Sequence, residues 1–201
     1  MATYLPADRL QRMIEAAPSD CIICLDEAYC EFAPADALPP LDVDDDRVIR
    51  FRTFSKAYGL AGMRVGYAVC HPTLASGFDR IRNHFGVNRL AQAGALAALE
   101  DQQYLAETID NVVASRARIA GIARDNGLIA LPSATNFVAI DCRRDGDYAR
   151  RVLSGLIAKD VFARMPGVAP LDRCIRISCA PEHEMALFEA ALPEALAGAA
   201  G

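Results

Sequence analysis

Hydrophobic residues along the chain follow helical spacing in some segments and strand spacing in others. Over residues 7–17 the apolar positions lie on one helical face: Leu10, Met13, Ile14 and Ala17. Residues 21–29 (CIICLDEAY) form an apolar run of strand length that ends in two carboxylates, which predicts a parallel strand buried on both faces. Residues 48–53 (VIRFRT) and 65–70 (VGYAVC) are predicted to be further strands.

The second half of the chain has longer helical segments. An Ala-rich stretch over residues 90–100 is apolar nearly all round, which predicts a helix packed inside the molecule. A longer amphipathic helix is expected over residues 103–126. Short strand-like runs and two more helices follow, and they predict a smaller α+β domain. Those runs are LIAL, NFVAID, FARM and CIRIS.

Composition and charge argue against nucleic-acid binding and membrane insertion. The 201 residues are 53% hydrophobic with a net charge of −5 and no basic stripe, so a nucleic-acid partner is not expected. No apolar stretch is long enough to cross a bilayer, and the N-terminus lacks the pattern of a signal peptide. We therefore expect no membrane association and a cytoplasmic location.

The seven cysteines are an odd number scattered through apolar segments, and we expect them to be reduced and buried. Cys21 and Cys24 form a C-x-x-C spacing, which leaves metal or redox use open beside the alternative of a buried strand. No second pair accompanies it, so no metal site is predicted.

Lysine is rare in this chain, since Lys56 and Lys159 are its only two lysines among 21 basic residues. An always-charged guanidinium cannot replace an amine that must form a covalent bond, so each lysine is a candidate nucleophile. Lys56 follows the hydroxyls of Thr53 and Ser55 and precedes Arg64. Hydroxyls and an arginine in one loop favour phosphate binding, and a lysine there could form an imine with a phosphorylated aldehyde.

Several motifs together resemble one family. D-E-A-Y and R-T-F-S-K-A-Y-G-L-A-G-M-R-V-G-Y, with thirty residues from Asp26 to Lys56, resemble the class I/II aminotransferases of pyridoxal-phosphate (PLP) fold type I. The likeness is strongest to the histidinol-phosphate aminotransferase branch. It continues through F-G-V-N-R-L-A-Q, P-S-A-T-N-F and C-I-R-I-S, so it covers nearly the whole chain.

The resemblance implies an α/β fold that is a partial PLP fold type I. Residues 1–100 would be the second half of the large-domain sheet with its helices, and residues 101–201 a connecting helix and the small α+β C-terminal domain. In the family an N-P-x-N-P-T-G motif precedes a segment like T-Y-L-P-A-D-R-L, but here Met1 to Thr3 stand in that place. The resemblance therefore implies that the N-terminal half is lacking.

The resemblance also assigns roles to individual residues. Lys56 would be the Schiff-base lysine of PLP and the proton carrier between the substrate Cα and the cofactor. The other implied cofactor contacts are Asp26 to the pyridine nitrogen, Tyr29 to the ring hydroxyl, and Ser55, Arg64 and Thr53 to the phosphate.

Two arginines are implied to bind the substrate. Arg176 would hold the substrate α-carboxylate, a bidentate role that suits an arginine on a rigid strand. Arg164 is a second candidate, for an anionic substrate side chain. An alternating strand also displays arginines to solvent, so the alternative for both is an ordinary surface position.

The implied function is amino transfer between an amino acid, histidinol-phosphate-like or aromatic, and a 2-oxo acid such as 2-oxoglutarate. This would be a step of amino-acid biosynthesis, histidine biosynthesis in particular, carried out by a homodimer. Two alternatives stay open: a related PLP-dependent decarboxylase of the same fold, and a non-catalytic fragment.

Overall fold

Two three-stranded sheets organise the chain, and a computed structural model describes residues 1–200. The chain divides into an N-terminal unit, Tyr4–Ile109, and a C-terminal unit that runs from Asp110 onward and includes Met1–Thr3. The division point lies within a long helix, and the domain boundary near residue 100 stays a prediction.

The N-terminal unit is built on a sheet of order β1-β2-β3. Strands β1 and β2 are parallel, with Asp26 opposite Phe51, whereas β3 pairs with β2 in antiparallel fashion. The carboxyl ends of β1 and β2 therefore lie side by side. The elements of this part are α1 (Ala7–Ala16), β1 (Ile23–Asp26), β2 (Val48–Thr53), β3 (Gly66–Cys70), α2 (Pro72–Ile81), α3 (Arg89–Glu100) and the start of α4 (Gln102–Asp125).

The first helix and the first strand show where the apolar pattern succeeds and where it fails. Helix α1 is confirmed, and its Ile14 packs on Leu25 and Val48. Only one face of β1 is covered: Leu25 is buried against α1, whereas Cys24 in the strand and Ile22 just before it are exposed on the other face. The prediction of a strand buried on both faces is wrong for this reason.

The cysteine prediction needs the same correction. Cys21 and Cys24 are exposed, whereas Cys142 and Cys174 are buried and the other three are half-buried. Burial raises the pKa of Cys30 to about 12 and the pKa of Cys142 to about 11, with the nearby Glu31 adding to the effect at Cys30. Those two thiols stay protonated and poorly nucleophilic near neutral pH.

Helix α3 buries less apolar surface than the sequence predicts, and helix α2 before it ends at Ile81. Helix α3 buries Ala91 and Ala95 but leaves Leu90 exposed, against the expectation of a helix packed inside. Composition shows that a helix is apolar, but it does not show which surface covers it.

The C-terminal unit is an antiparallel sheet of order β4-β5-β6 packed with helices. Its core is formed by α5 and α6 against β5 and β6, with Leu156, Ile175 and Phe188 nearly inaccessible. The α+β character is as predicted, although FARM forms a single bridge at Arg164 and not a strand. The elements after α4 are β4 (Ile129–Ala130), β5 (Phe137–Asp141), α5 (Gly146–Ile157), β6 (Cys174–Ser178) and α6 (Glu182–Ala200).

Among residues 1–200, none of the helices combines the length and the apolar character that a membrane span requires.

Candidate active site

The loop after β2 carries Lys56, and buried residues on both sides of this lysine in the sequence hold the loop in place. Its neighbours Phe54, Ala57 and Tyr58 are buried, and the rings of Phe54 and Tyr58 are 5.1 Å apart. Tyr67 of β3 packs on Phe54 at 5.6 Å. Lys56 itself is half-buried. The rings of Tyr58 and Tyr67 pack on Phe54, and this packing fixes the loop that carries the Lys56 amine.

The side chain of Lys56 lies against an aromatic ring. Its Nζ is 5.0 Å from the ring centroid of Tyr29, within the range of a cation–π contact. Tyr29 follows β1 by three residues. The structure therefore brings together two residues that are 27 positions apart in the sequence and that the resemblance assigns to one cofactor.

The hydroxyl and guanidinium groups of the same loop also converge. Arg64 Nη1 lies 3.5 Å from Ser55 Oγ and donates a 2.8 Å hydrogen bond to the carbonyl of Ala61. Thr53 Oγ1 accepts a 3.0 Å bond from the Ser55 backbone N–H, so this hydroxyl shapes the turn. The loop therefore brings the Ser55 hydroxyl and the Arg64 guanidinium together, beside the turn that Thr53 shapes.

Arg64 occupies a backbone conformation that is unfavourable for a residue with a side chain. Its φ of 53° and ψ of 51° are left-handed, which costs on the order of 1–3 kcal/mol outside glycine. Gly59, in the same loop, has a φ of 69°, which glycine adopts at little cost. Strain of this kind is typical of ligand-binding loops, where the surrounding structure maintains it.

Asp26 is the last residue of β1 and is exposed. Its Oδ1 accepts a 3.0 Å bond from the Ala28 N–H, which orients the carboxylate at the end of the strand. Because β1 and β2 are parallel, their carboxyl ends lie at the same edge of the sheet. Asp26 ends β1 at this edge, and the loop of Lys56 begins there after β2. Open α/β sheets bind ligands at such an edge.

The sequence pattern did not predict a buried ion-pair cluster that joins the end of β1 to β2. Glu27 is paired with both Arg50 and Arg52. The signal was present in VIRFRT, where two arginines occupy alternate positions of an otherwise apolar strand. Alternation places both on one face, and charges on a buried face need a partner.

The C-terminal unit holds a second cationic group. Arg176 on β6 and Arg164 are directly opposite in an antiparallel bridge, and each donates its backbone N–H to the other's carbonyl at 2.6 and 3.2 Å. Directly opposite residues of such a pair share a face. The two predicted substrate arginines are therefore adjacent, with Arg164 exposed and Arg176 half-buried.

The guanidinium of Arg176 stacks on an aromatic ring and keeps one buried donor without a partner among residues 1–200. Its Cζ lies 4.1 Å from the ring centroid of Phe137, and the stacked ring fixes the guanidinium plane. Its Nε is buried and has no hydrogen-bond partner among residues 1–200. A buried donor without a partner is costly, so a carboxylate at this position would satisfy it.

The α/β chain thus has a lysine, a hydroxyl and an arginine in one loop, and on β6 a stacked arginine, and these groups are chemically suited to small anionic ligands. Comparison with known proteins identifies the family. Residues 1–193 match the family "Aminotransferase class I and II", and the chain belongs to this family.

Individual relatives narrow the likeness. Histidinol-phosphate aminotransferase 2 of Ralstonia nicotianae is 39% identical over 204 residues, covering 98% of this chain and 54% of its own length. The aromatic amino acid aminotransferase of Mycobacterium avium is 36% identical, covering 89% of this chain and 53% of its own length. The chain thus spans about half the length of the curated relatives it matches.

Solved structures agree on the fold. The histidinol-phosphate aminotransferase of Sinorhizobium meliloti in complex with pyridoxal-5'-phosphate is 55% identical with a TM-score of 0.96, covering 98% of this chain and 55% of that one. The L-threonine-O-3-phosphate decarboxylase of Porphyromonas gingivalis has a TM-score of 0.78 at 22% identity, over 96% of this chain and 60% of that one. The second likeness shows the shared fold alone, and together they confirm the partial fold type I architecture.

Proposed function

We propose that the native polypeptide containing this chain is a pyridoxal-phosphate-dependent aminotransferase. It would act on a histidinol-phosphate-like or aromatic amino acid and pass the nitrogen to a 2-oxo acid such as 2-oxoglutarate. The contact of Lys56 with Tyr29, in the loop that also joins Ser55 and Arg64, is the observation that carries the proposal. A cytoplasmic location stays a prediction.

The residues present fit the four polar features of this cofactor. Lys56 supplies an amine for the aldehyde, and Ser55 and Arg64 supply a hydroxyl and a cation for the phosphate. Asp26 offers a carboxylate to the pyridine nitrogen, and Tyr29 a phenol to the ring oxygen. When bound, pyridoxal phosphate supplies an electron sink that stabilises negative charge on the carbon bearing the amino group.

Each residue would then perform a defined task. Lys56 Nζ would hold the cofactor at its aldehyde carbon and would carry the proton that leaves the substrate Cα. The Asp26 carboxylate would keep a proton on the pyridine nitrogen. Arg64 and Ser55 would orient the phosphate and so fix the ring beside Lys56.

The two arginines of the C-terminal unit would select the substrate. Arg176 would bind the α-carboxylate with a guanidinium held flat on Phe137. Arg164, exposed beside it in the bridge, would contact an anionic substrate side chain. Two adjacent cations match a substrate with two anionic groups, such as the dicarboxylate 2-oxoglutarate that accepts the nitrogen.

The proposal is tested by incubating the native polypeptide with pyridoxal phosphate, 2-oxoglutarate and either histidinol phosphate or phenylalanine. Formation of glutamate, followed by coupled detection, is the expected result. Release of carbon dioxide without glutamate would favour a decarboxylase of the same fold. Neither product, with intact protein, would favour the non-catalytic alternative.

We also propose that the polypeptide forms a homodimer, as the resemblance implies. Large apolar side chains at the end of α2 and in the segment that follows it support this, since Ile81 is 82% exposed and Phe85 93% exposed. Surfaces of this kind are typical of protein interfaces. Phe85→Asp is expected to convert a dimer into a monomer in light scattering after size exclusion. An unchanged mass would contradict the assignment of this surface.

A further inference from the structure

We infer that Glu27 is a positioning residue for the proposed cofactor site. Its carboxylate joins the carboxyl ends of β1 and β2 and thereby fixes Asp26 relative to the loop of Ser55 and Lys56. This inference rests on the proposed function, because it concerns the residues that would hold the cofactor.

Both oxygens of the Glu27 carboxylate are used. Arg50 Nε donates to Oε1 at 2.5 Å, and Arg52 Nε donates to Oε2 at 2.9 Å. The side chain of Glu27 is only 5% exposed and that of Arg50 only 4%. One buried carboxylate thus bridges two arginines of the neighbouring strand.

The cluster also holds the chain that connects the two strands. Arg50 Nη1 donates to the backbone carbonyls of Pro39 and Pro40, each at 3.2 Å. Arg52, whose side chain is 27% exposed, is the outer member. Its hydrogen bonds with Glu27 and with Tyr67 of β3 outweigh the lowering effect of burial, and its pKa is raised. The cluster therefore links β1, β2, β3 and the connecting loop.

Glu27 acts on the site through the backbone. Asp26 is exposed and Glu27 is buried, in keeping with the alternation of successive side chains between the two faces of a sheet. The Glu27 N–H donates a 2.9 Å bond to the Phe51 carbonyl, beside the pairing of Asp26 with Phe51. A shift of the Glu27 side chain would therefore move the strand end that carries Asp26.

The charges predict that substitution of Glu27 disturbs the cluster. Glu27, Arg50 and Arg52 together carry one net positive charge, and a neutral residue at position 27 leaves two positive charges facing each other. Removing one partner of a buried ion pair leaves uncompensated charge, and the movement or hydration that relieves it would displace the strand ends. Catalytic geometry tolerates little of this, because a displacement of about 1 Å can cost about a hundredfold in rate.

The test is Glu27→Gln in the native polypeptide loaded with pyridoxal phosphate. We expect attachment at Lys56 to persist, the pH midpoint of the cofactor's visible absorbance band to move, and kcat/KM to fall by about tenfold to a hundredfold. Glu182→Gln is the matched control, because it removes an exposed carboxylate that pairs with Arg118. Its pH midpoint and kcat/KM are expected to equal those of the wild type.

Arg52→Gln provides a second variant if Glu27→Gln does not fold. This variant keeps the buried Glu27–Arg50 pair and removes only the outer guanidinium of Arg52. We therefore expect a smaller shift in the pH midpoint of the absorbance band than in Glu27→Gln. Arg52→Lys retains the positive charge, so its pH midpoint should lie between those of Arg52→Gln and the wild type. A lowered melting temperature in these variants with unchanged midpoint and kcat/KM would make the cluster merely structural and overturn the inference.

Cofactor attachment in the wild-type protein distinguishes failure of this inference from failure of the proposed function. If wild-type protein forms no attachment at Lys56, the proposed function fails and the inference fails with it. If the wild type forms the attachment and transfers amino groups while the Glu27 and Arg52 variants match it, only the positioning role of Glu27 is wrong.

Discussion

Lys56→Ala is expected to abolish covalent attachment of pyridoxal phosphate and to lower kcat by about 10⁴-fold or more, since proton transfer by a positioned group alone contributes about 10²–10⁴. The amine is the part of the site that no other side chain in the loop can replace. Its half-buried position beside Tyr29 places it for both tasks. The measurements are the visible absorbance of the loaded protein and the rate of glutamate formation.

The chain provides its own control for this variant. Lys159, the other lysine, forms an ion pair with Glu194 at the surface of the C-terminal unit. Lys159→Ala is expected to leave both the absorbance band and kcat unchanged. Persistence of the band in Lys56→Ala would remove Lys56 from the proposed role.

Arg176→Ala is expected to weaken substrate binding strongly while the cofactor stays attached. Removing one partner of a buried, hydrogen-bonded charge pair costs about 2–5 kcal/mol, so kcat/KM should fall by about two orders of magnitude or more. The buried Nε and the stack on Phe137 are the physical reasons. Steady-state kinetics with the amino acid varied, together with the absorbance band, measure both effects.

A graded comparison makes the Arg176 result specific. Arg176→Lys keeps the charge but loses the planar bidentate geometry, so a loss intermediate between wild type and Arg176→Ala is expected. Arg173→Lys is the control, because Arg173 pairs with Asp141 and is not assigned to the substrate. An unchanged KM in Arg176→Ala would contradict the carboxylate-binding role.

Much of the fold could be predicted because local patterns decide it. The periodicity around Ile14 predicts α1, and the apolar run ending at Asp26 predicts a strand that is parallel to β2. The motifs from Asp26 to Arg64 predict which side chains meet, and the contact between Lys56 and Tyr29 agrees with them. The roles of these residues stay predictions until they are measured.

The remaining features depend on neighbours that a sequence pattern does not identify. Exposure of Cys24 and Leu90 depends on which surfaces lie beside β1 and α3, and apolar composition alone does not reveal this. The Glu27 cluster depends on the register between two strands, because only the pairing of β1 with β2 shows that its carboxylate reaches Arg50 and Arg52. The stack of Arg176 on Phe137 likewise depends on the β5–β6 register.

The most direct test of the proposed active site is borohydride reduction of the native, pyridoxal-phosphate-loaded polypeptide followed by tryptic peptide mapping. Trypsin does not cut after a modified lysine, so we expect one cofactor-bearing peptide that spans residues 53–64 with the group on Lys56. Reduction that leaves residues 53–64 unmodified, or that labels Lys159 alone, would contradict the proposed active site.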